Sequence, residues 1–321
     1  MAQPTPLSLC FLLTLQLLTT GVFSTTFTLL NKCEHTVWPG ILSNAGVSPL
    51  STTGFVLQKG ESRTITAPSS WGGRFWGRTH CTTDSTGKFS CVTGDCGSGK
   101  LECSGNGAKP PATLAEITLD GHGGLDFFDV SLVDGYNIPM LFAPQGGSGQ
   151  NCTSTGCVDD LNDACPSELK VRSADGGGGV ACRSACEAFQ QAQYCCSGAY
   201  GSPDTCKPTS YSEIFKSACP RAYSYAYDDK SSTFTCSSSS VSSYTITFCP
   251  SPNTSQKSSQ DGQSAQPTNP SIYSPHTNST MVYEGLLDES SGSPSTGPHT
   301  FVSMISLAVA IWPLWHLFFF F

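Results

Sequence analysis

The chain has 321 residues, with 24 acidic against 16 basic side chains, a formal net charge of −8, and 12% charged residues. An acidic chain without a basic stretch excludes nucleic acid and anionic lipid surfaces as partners. Its 32 glycines and 17 cysteines point instead to a turn-rich, crosslinked, exported protein.

In chain order, residues 7–18 form the apolar run LSLCFLLTLQLL, followed by small and polar residues. That length suits a secretory signal peptide and is short for a membrane span, so residues 1–24 are assigned to a signal peptide cleaved before Thr25. Cys10 falls inside it, which leaves an even set of cysteines from Cys33 to Cys249 and requires no free thiol. In an exported chain such a set is a disulfide framework. Metal binding is disfavoured, because there is no C-x-x-C spacing and His35, His80 and His122 stand apart. Cys195 and Cys196 are adjacent, so each should bond elsewhere.

Residues 25–250 are long enough for a large domain. Short β-prone runs lie at 27–30, 36–38, 53–57, 62–66, 114–119, 127–133, 233–236 and 244–248, most of them bounded by Gly, Asn, Asp or Pro. This is the pattern of a mainly β sandwich or barrel. Residues 152–219 differ: they are dense in cysteine, poor in apolar residues and contain two predicted helices, 184–194 and 211–218. Such a region depends on its crosslinks, each worth about 2–5 kcal/mol. Trp38, Trp71 and Trp76 are expected to be packing residues, and Asp95 a turn former. The glycine run at 176–179 lacks a phosphate-loop lysine.

After Pro250 the composition turns polar. Residues 251–291 cannot bury enough apolar surface to offset ordering and are expected to form a Ser/Pro/Thr-rich flexible stalk. It carries glycosylation sequons at Asn253 and Asn278; a third, at Asn151, is made less accessible if Cys152 is bridged. Residues 301–321 are apolar with no positive flank, preceded by a polar spacer and the small residues Ser290, Ser291 and Gly292. This reads as a glycosylphosphatidylinositol attachment signal, with Ser290 the attachment site and 292–321 the removed propeptide; the alternative is a spanning C-terminal helix. The expected location is the outer face of the plasma membrane or the wall, tied to the membrane by a lipid.

A specific likeness begins at Gly87. The run GKFSCVTGDCGSGKLEC at 87–103 resembles the signature of the thaumatin family. Trp76-Gly77-Arg78-Thr79, Pro111-Ala112-Thr113-Leu114-Ala115-Glu116, Leu125-Asp126-Phe127-Phe128-Asp129, Gly135-Tyr136-Asn137-Ile138-Pro139-Met140 and Ala222-Tyr223-Ser224-Tyr225 are similar to other family segments. The resemblance covers essentially all of residues 25–250. It implies a thaumatin-like flattened β-sandwich with a disulfide-rich, partly helical subdomain and a small third lobe. It also implies the pairs Cys33–Cys249, Cys81–Cys91, Cys96–Cys103, Cys152–Cys236, Cys157–Cys219, Cys165–Cys182, Cys186–Cys195 and Cys196–Cys206.

The family's acidic cleft of one Arg, one Glu and three Asp falls on Arg74, Glu116, Asp129, Asp134 and Asp228, with Asp229 an alternative for the last. The chemistry is also legible from the residues. Glu116 and Asp129 or Asp134 flank the turn GHGG, and an antiparallel return brings acids together. Crowded carboxylates raise one another's pKa, while Arg74 holds others ionised. One protonated and one ionised carboxyl is what glycoside hydrolysis uses. Glu116 is then the general acid and Asp134 or Asp129 the base or nucleophile, with Arg74 and Asp228 orienting the sugar and Phe128 and Tyr136 available to stack on it. The resemblance implies a defence-related protein that binds β-1,3-glucan or another wall polysaccharide, with weak endo-β-1,3-glucanase activity. The alternative is a tethered cell-surface interaction module without catalysis. A monomer with neither cofactor nor metal is expected.

Overall fold

The computed structural model describes residues 24–173 and 176–251. The expected signal peptide up to residue 23, the expected stalk from residue 252 with Asn253 and Asn278, Ser290 and the apolar tail lie outside the described residues, as does Cys10. No helix among the described residues is long and apolar enough to cross a membrane.

Two β-sheets carry the chain. One has the order β3-β1-β13-β8-β9, built from β1 (Ser24–Asn31), β3 (Ser62–Pro68), β8 (Met140–Gly146), β9 (Thr155–Cys157) and β13 (Val241–Phe248). The other has the order β12-β7-β6-β4-β2, from β2 (Trp38–Ser43), β4 (Gly72–Thr83), β6 (Leu114–Thr118), β7 (Leu125–Ser131) and β12 (Phe234–Ser237). β5 (Phe89–Thr93) pairs with the far end of β4, and β10 (Lys170–Arg172) and β11 (Gly179–Cys182) form a separate hairpin. The fold is mainly β.

The core lies between the two sheets. Phe27, Phe142 and Tyr244 from the first meet Phe75 and Phe128 from the second, with ring centroids 4.9 Å apart for Phe27–Phe75 and 5.4 Å for Phe128–Tyr244. Interleaved side chains from two inner faces are what hold a sandwich together. The carboxylate of Asp126, only 2% exposed, is tolerated there because it accepts from Tyr244 Oη at 2.7 Å, Ser238 Oγ at 2.6 Å and Asp120 N at 3.0 Å. β1 and β13, near opposite ends of the domain, pair in parallel with Leu29 opposite Ile246, and the Cys33–Cys249 disulfide sits just beyond them.

The small lobe packs on the second sheet. Arg78, fully buried, donates to Trp38 O at 2.9 Å, Pro39 O at 3.2 Å and Leu101 O at 2.7 Å, so one guanidinium ties two strands to the lobe. Disulfides Cys81–Cys91 and Cys96–Cys103 close the lobe. Asp95 shapes its turn, accepting from Gly97 N at 2.6 Å and Cys91 N at 2.7 Å.

The helical subdomain contains α1 (Ala185–Phe189), α2 (Ala192–Cys195), α3 (Ser210–Ala218) and α4 (Asp229–Ser232). A single helix over 184–194 is not formed. Gln190 takes a left-handed conformation with φ of 52° and ends α1, and Cys186–Cys195 then folds α2 back. α3 starts on a reciprocal cap between Thr209 and Ser212. Cys152–Cys236, Cys157–Cys219, Cys165–Cys182 and Cys196–Cys206 fasten this region internally and to the sheets. Residues 53–57 make only isolated bridges, Gly40 with Gly54 and Val37 with Leu57, rather than a strand.

Candidate functional site

Strand register gathers three ionisable residues into a row. Arg74 on β4 lies opposite Glu116 on β6, and Glu116 opposite Asp129 on β7. Directly opposed residues share a face, with Cβ atoms about 5 Å apart. Alternation sends Phe75, Ala115, Ile117, Phe128 and Val130 through to the other face, where they are buried in the core. The charged face is covered on two sides. Trp76 and Leu114 pack with Cys96, Cys103 and Ala112 at the small-lobe side. At the β7 side, the segment around Tyr223 adds itself to the sheet, with Tyr223 N on Val130 O at 2.9 Å and Leu132 N on Tyr223 O at 2.8 Å. The row between them stays partly open, with the Arg74 and Glu116 side chains 30% and 27% exposed.

Arg74 Nε stands 3.6 Å from Glu116 Oε1. Burial raises the Glu116 carboxyl above the usual carboxylate range; Arg74 opposes this and the charge of Asp134 adds to it. Asp129 is pushed well above that range by burial, then by Glu116 and Asp229, against the pull of Arg74. It is 2% exposed and its Oδ1 has no hydrogen-bond partner. Both carboxyls of the row therefore keep their protons to higher pH than exposed ones.

Asp134 occupies the turn after β7, where its carbonyl accepts from Ala112 N at 3.0 Å and its charge reaches Glu116. Asp228 has a different setting. Its carboxylate accepts from Ser224 N and Ser224 Oγ at 3.1 Å each and from Ser231 Oγ at 2.9 Å, and pairs with Lys216 Nζ at 2.8 Å. The neighbouring Asp229 is the acid that faces the row: it accepts from Tyr223 Oη at 2.9 Å, and its charge acts on Asp129.

Phe128 and Tyr136 are 1% and 0% exposed, so neither can stack on a sugar. Phe128 points to the core because it neighbours Asp129 on an alternating strand, and Tyr136 is held inside with its hydroxyl on Asp159 O at 3.0 Å. Trp71 and Trp76 are likewise buried. In the sequence Tyr223 carries no site signal beyond its place in the Ala222-Tyr223-Ser224-Tyr225 segment, because its contact with Asp229 depends on the pairing of that segment with β7. Among the described residues no cluster of three or more His, Cys, Asp or Glu side chains is arranged to hold a metal ion. His35 and His80 stack on each other, 6.3 Å between centroids.

A model described as "Thaumatin family" matches residues 31–250. Thaumatin-like protein 1 of Arabidopsis thaliana is 59% identical over 237 residues, 72% of this chain and 88% of that protein. Pathogenesis-related thaumatin-like protein 3.5 of Cryptomeria japonica is 58% identical over 228 residues, 71% of this chain and 91% of that protein. The PR5-like receptor kinase of Arabidopsis thaliana is 54% identical over 252 residues, 78% of this chain but 38% of that protein.

Proposed function

Because the chain belongs to the thaumatin family, we propose that it is an extracellular, defence-related protein that binds β-1,3-glucan along the acidic row and cleaves it slowly. The cross-strand alignment of Arg74, Glu116 and Asp129, with Asp134 in electrostatic reach, carries this reading. A neutral polysaccharide chain suits a groove that offers carboxyl donors and acceptors around one guanidinium. Glu116, partly open and reluctant to ionise, is the proton donor to the glycosidic oxygen. Asp134 is the base or nucleophile. Asp129, out of reach of solvent, backs Glu116 in the row as a neutral carboxyl, while burial and the charge of Asp134 keep Glu116 protonated. Arg74 orients the sugar, helped by the Asp228–Asp229 edge.

The test is insoluble β-1,3-glucan pull-down together with reducing-sugar release from the pure polymer. Wild type should bind and release sugar, and Glu116→Gln should bind but lose about 10²–10⁴-fold in release. Full activity in Glu116→Gln refutes the acid assignment, and failure of wild type to bind refutes the glucan reading.

The second reading, a tethered sensing module without catalysis, is favoured by the likeness to a protein named as a receptor kinase, of which the matched part is a minority. It would give glucan or protein binding with no sugar release. Under either reading the chain is placed at the cell surface as a monomer on a glycosylated stalk, with Ser290 carrying the lipid. Release by phosphatidylinositol-specific phospholipase C is expected, and retention on the membrane would favour a spanning tail.

A further inference from the structure

A further carboxyl approaches the acidic site from the helical subdomain. The turn that carries Asp134 runs straight into the root of α1: Tyr136 N donates to Cys182 O at 2.8 Å and Cys182 N to Tyr136 O at 2.7 Å. Gly135, at φ +85°, is wedged between them, where a Cβ would meet Cys182 O at 2.6 Å and Ser184 N at 3.1 Å. No side chain fits there, so the backbone of Asp134 is held close to the start of the helix. Val133 lines a small cavity together with Ser184, Ala185 and Cys186.

Glu187 stands in the first turn of α1. Its backbone N–H donates to the Ser184 cap at 3.2 Å, and the disulfides Cys165–Cys182 and Cys186–Cys195 hold the segment on either side. Its Oε1 lies 3.6 Å from Arg183 Nε, while Oε2 is buried without a hydrogen-bond partner. A charged oxygen buried without a donor is costly, and a proton on it relieves that cost. Burial pushes this carboxyl up to about 7; Arg183 opposes the shift and the charge of Asp134 adds to it.

Resting on the glucan-binding reading, we propose that Glu187 is a positioning residue of the acidic site that shares one negative charge with Asp134: Asp134 carries the charge beside Glu116, and Glu187 keeps the proton. Loss of that proton puts a second charge into the same wall, and the repulsion displaces Asp134 from its working place. Coupled carboxyls of this kind titrate as a pair.

The experiment follows the side-chain carboxyl signals of the full chain by ¹³C NMR from acid to beyond neutrality, in wild type, Asp134→Asn and Glu187→Gln. In wild type Glu187 should titrate near 7, and Asp134→Asn should lower that by about one unit or more. Glu187 titrating near its ordinary value of about 4.3, or ignoring Asp134→Asn, overturns the shared charge. In parallel, glucan pull-down by wild type should weaken as pH rises through neutrality, Glu187→Gln should lose that weakening, and Glu187→Asp should restore it. Identical pH profiles for wild type and Glu187→Gln overturn the positioning role. Wild type that binds no glucan at any pH removes the glucan reading and the positioning role with it, while the NMR titration separately decides whether the charge is shared.

Discussion

Replacing Cys33 and Cys249 together by alanine opens a crosslink whose ends are 216 residues apart, whereas Cys81 and Cys91 are 10 apart. A disulfide acts largely by restricting the unfolded chain, and the restriction grows with the logarithm of the loop it closes. The loop-entropy relation gives about 5 kcal/mol for the long bridge and about 3 kcal/mol for the short one at 25 °C. For a domain of this size, where each kcal/mol moves Tm by about 2–4 °C, the long-bridge variant should melt ~10–20 °C below wild type and the short-bridge variant ~6–12 °C below. The variant should still fold, because β1 remains paired with both β13 and β3. Thermal unfolding followed by near-ultraviolet circular dichroism without reductant measures both shifts. A Cys81/Cys91 double variant that loses as much as the Cys33/Cys249 variant, or more, would refute the loop-entropy reasoning and assign the stabilisation to local packing around each bridge.

Asp129→Asn should make the domain less sensitive to alkali. The folded-state pKa of Asp129 lies well above its unfolded value, so its favourable contribution is complete below about pH 3.9 and is lost as pH rises through the folded value. The variant should therefore match wild type in acid and exceed it in denaturant midpoint at neutral and higher pH; an equal difference at both ends would contradict the buried-carboxyl argument. Arg78→Met removes the guanidinium hydrogen bonds to Trp38 O, Pro39 O and Leu101 O and should cost about 3–5 kcal/mol by guanidinium unfolding, with a loss below about 1 kcal/mol counting against the small-lobe tie.

The β-rich architecture was readable because many runs alternate and end at turn residues, as 62–66 and 244–248 do. Strand β4 was not readable in that way. Its sequence GGRFWGRTHCTT is diluted by glycine, which weakens a strand signal, although Gly40 opposite it exists to admit the Trp76 ring, 2.4 Å from where a Cβ would stand. Without β4 the register linking Arg74 to Glu116 has no origin in local pattern, and only the family likeness points to Arg74. In LDFFDVS, acids and aromatics alternate so that either face could be the inner one. The choice is made by Tyr244 and Ser238, more than a hundred residues away, which satisfy Asp126 and turn Phe128 inward. The break at Gln190 was hidden because glutamine carries no turn signal; the short Cys186–Cys195 loop imposes it.

The parallel pairing of β1 with β13 also bears on how the domain transmits force. The chain leaves the fold beside Cys249, directly after a strand hydrogen-bonded on both edges, to β1 and to β8. Tension arriving through the residues that follow reaches the Cys33–Cys249 bond before it reaches any hydrogen bond of β13. A pull on the tail is thus shared between two neighbouring strands in shear, and the sheet carrying Arg74, Glu116 and Asp129 lies outside that line of load.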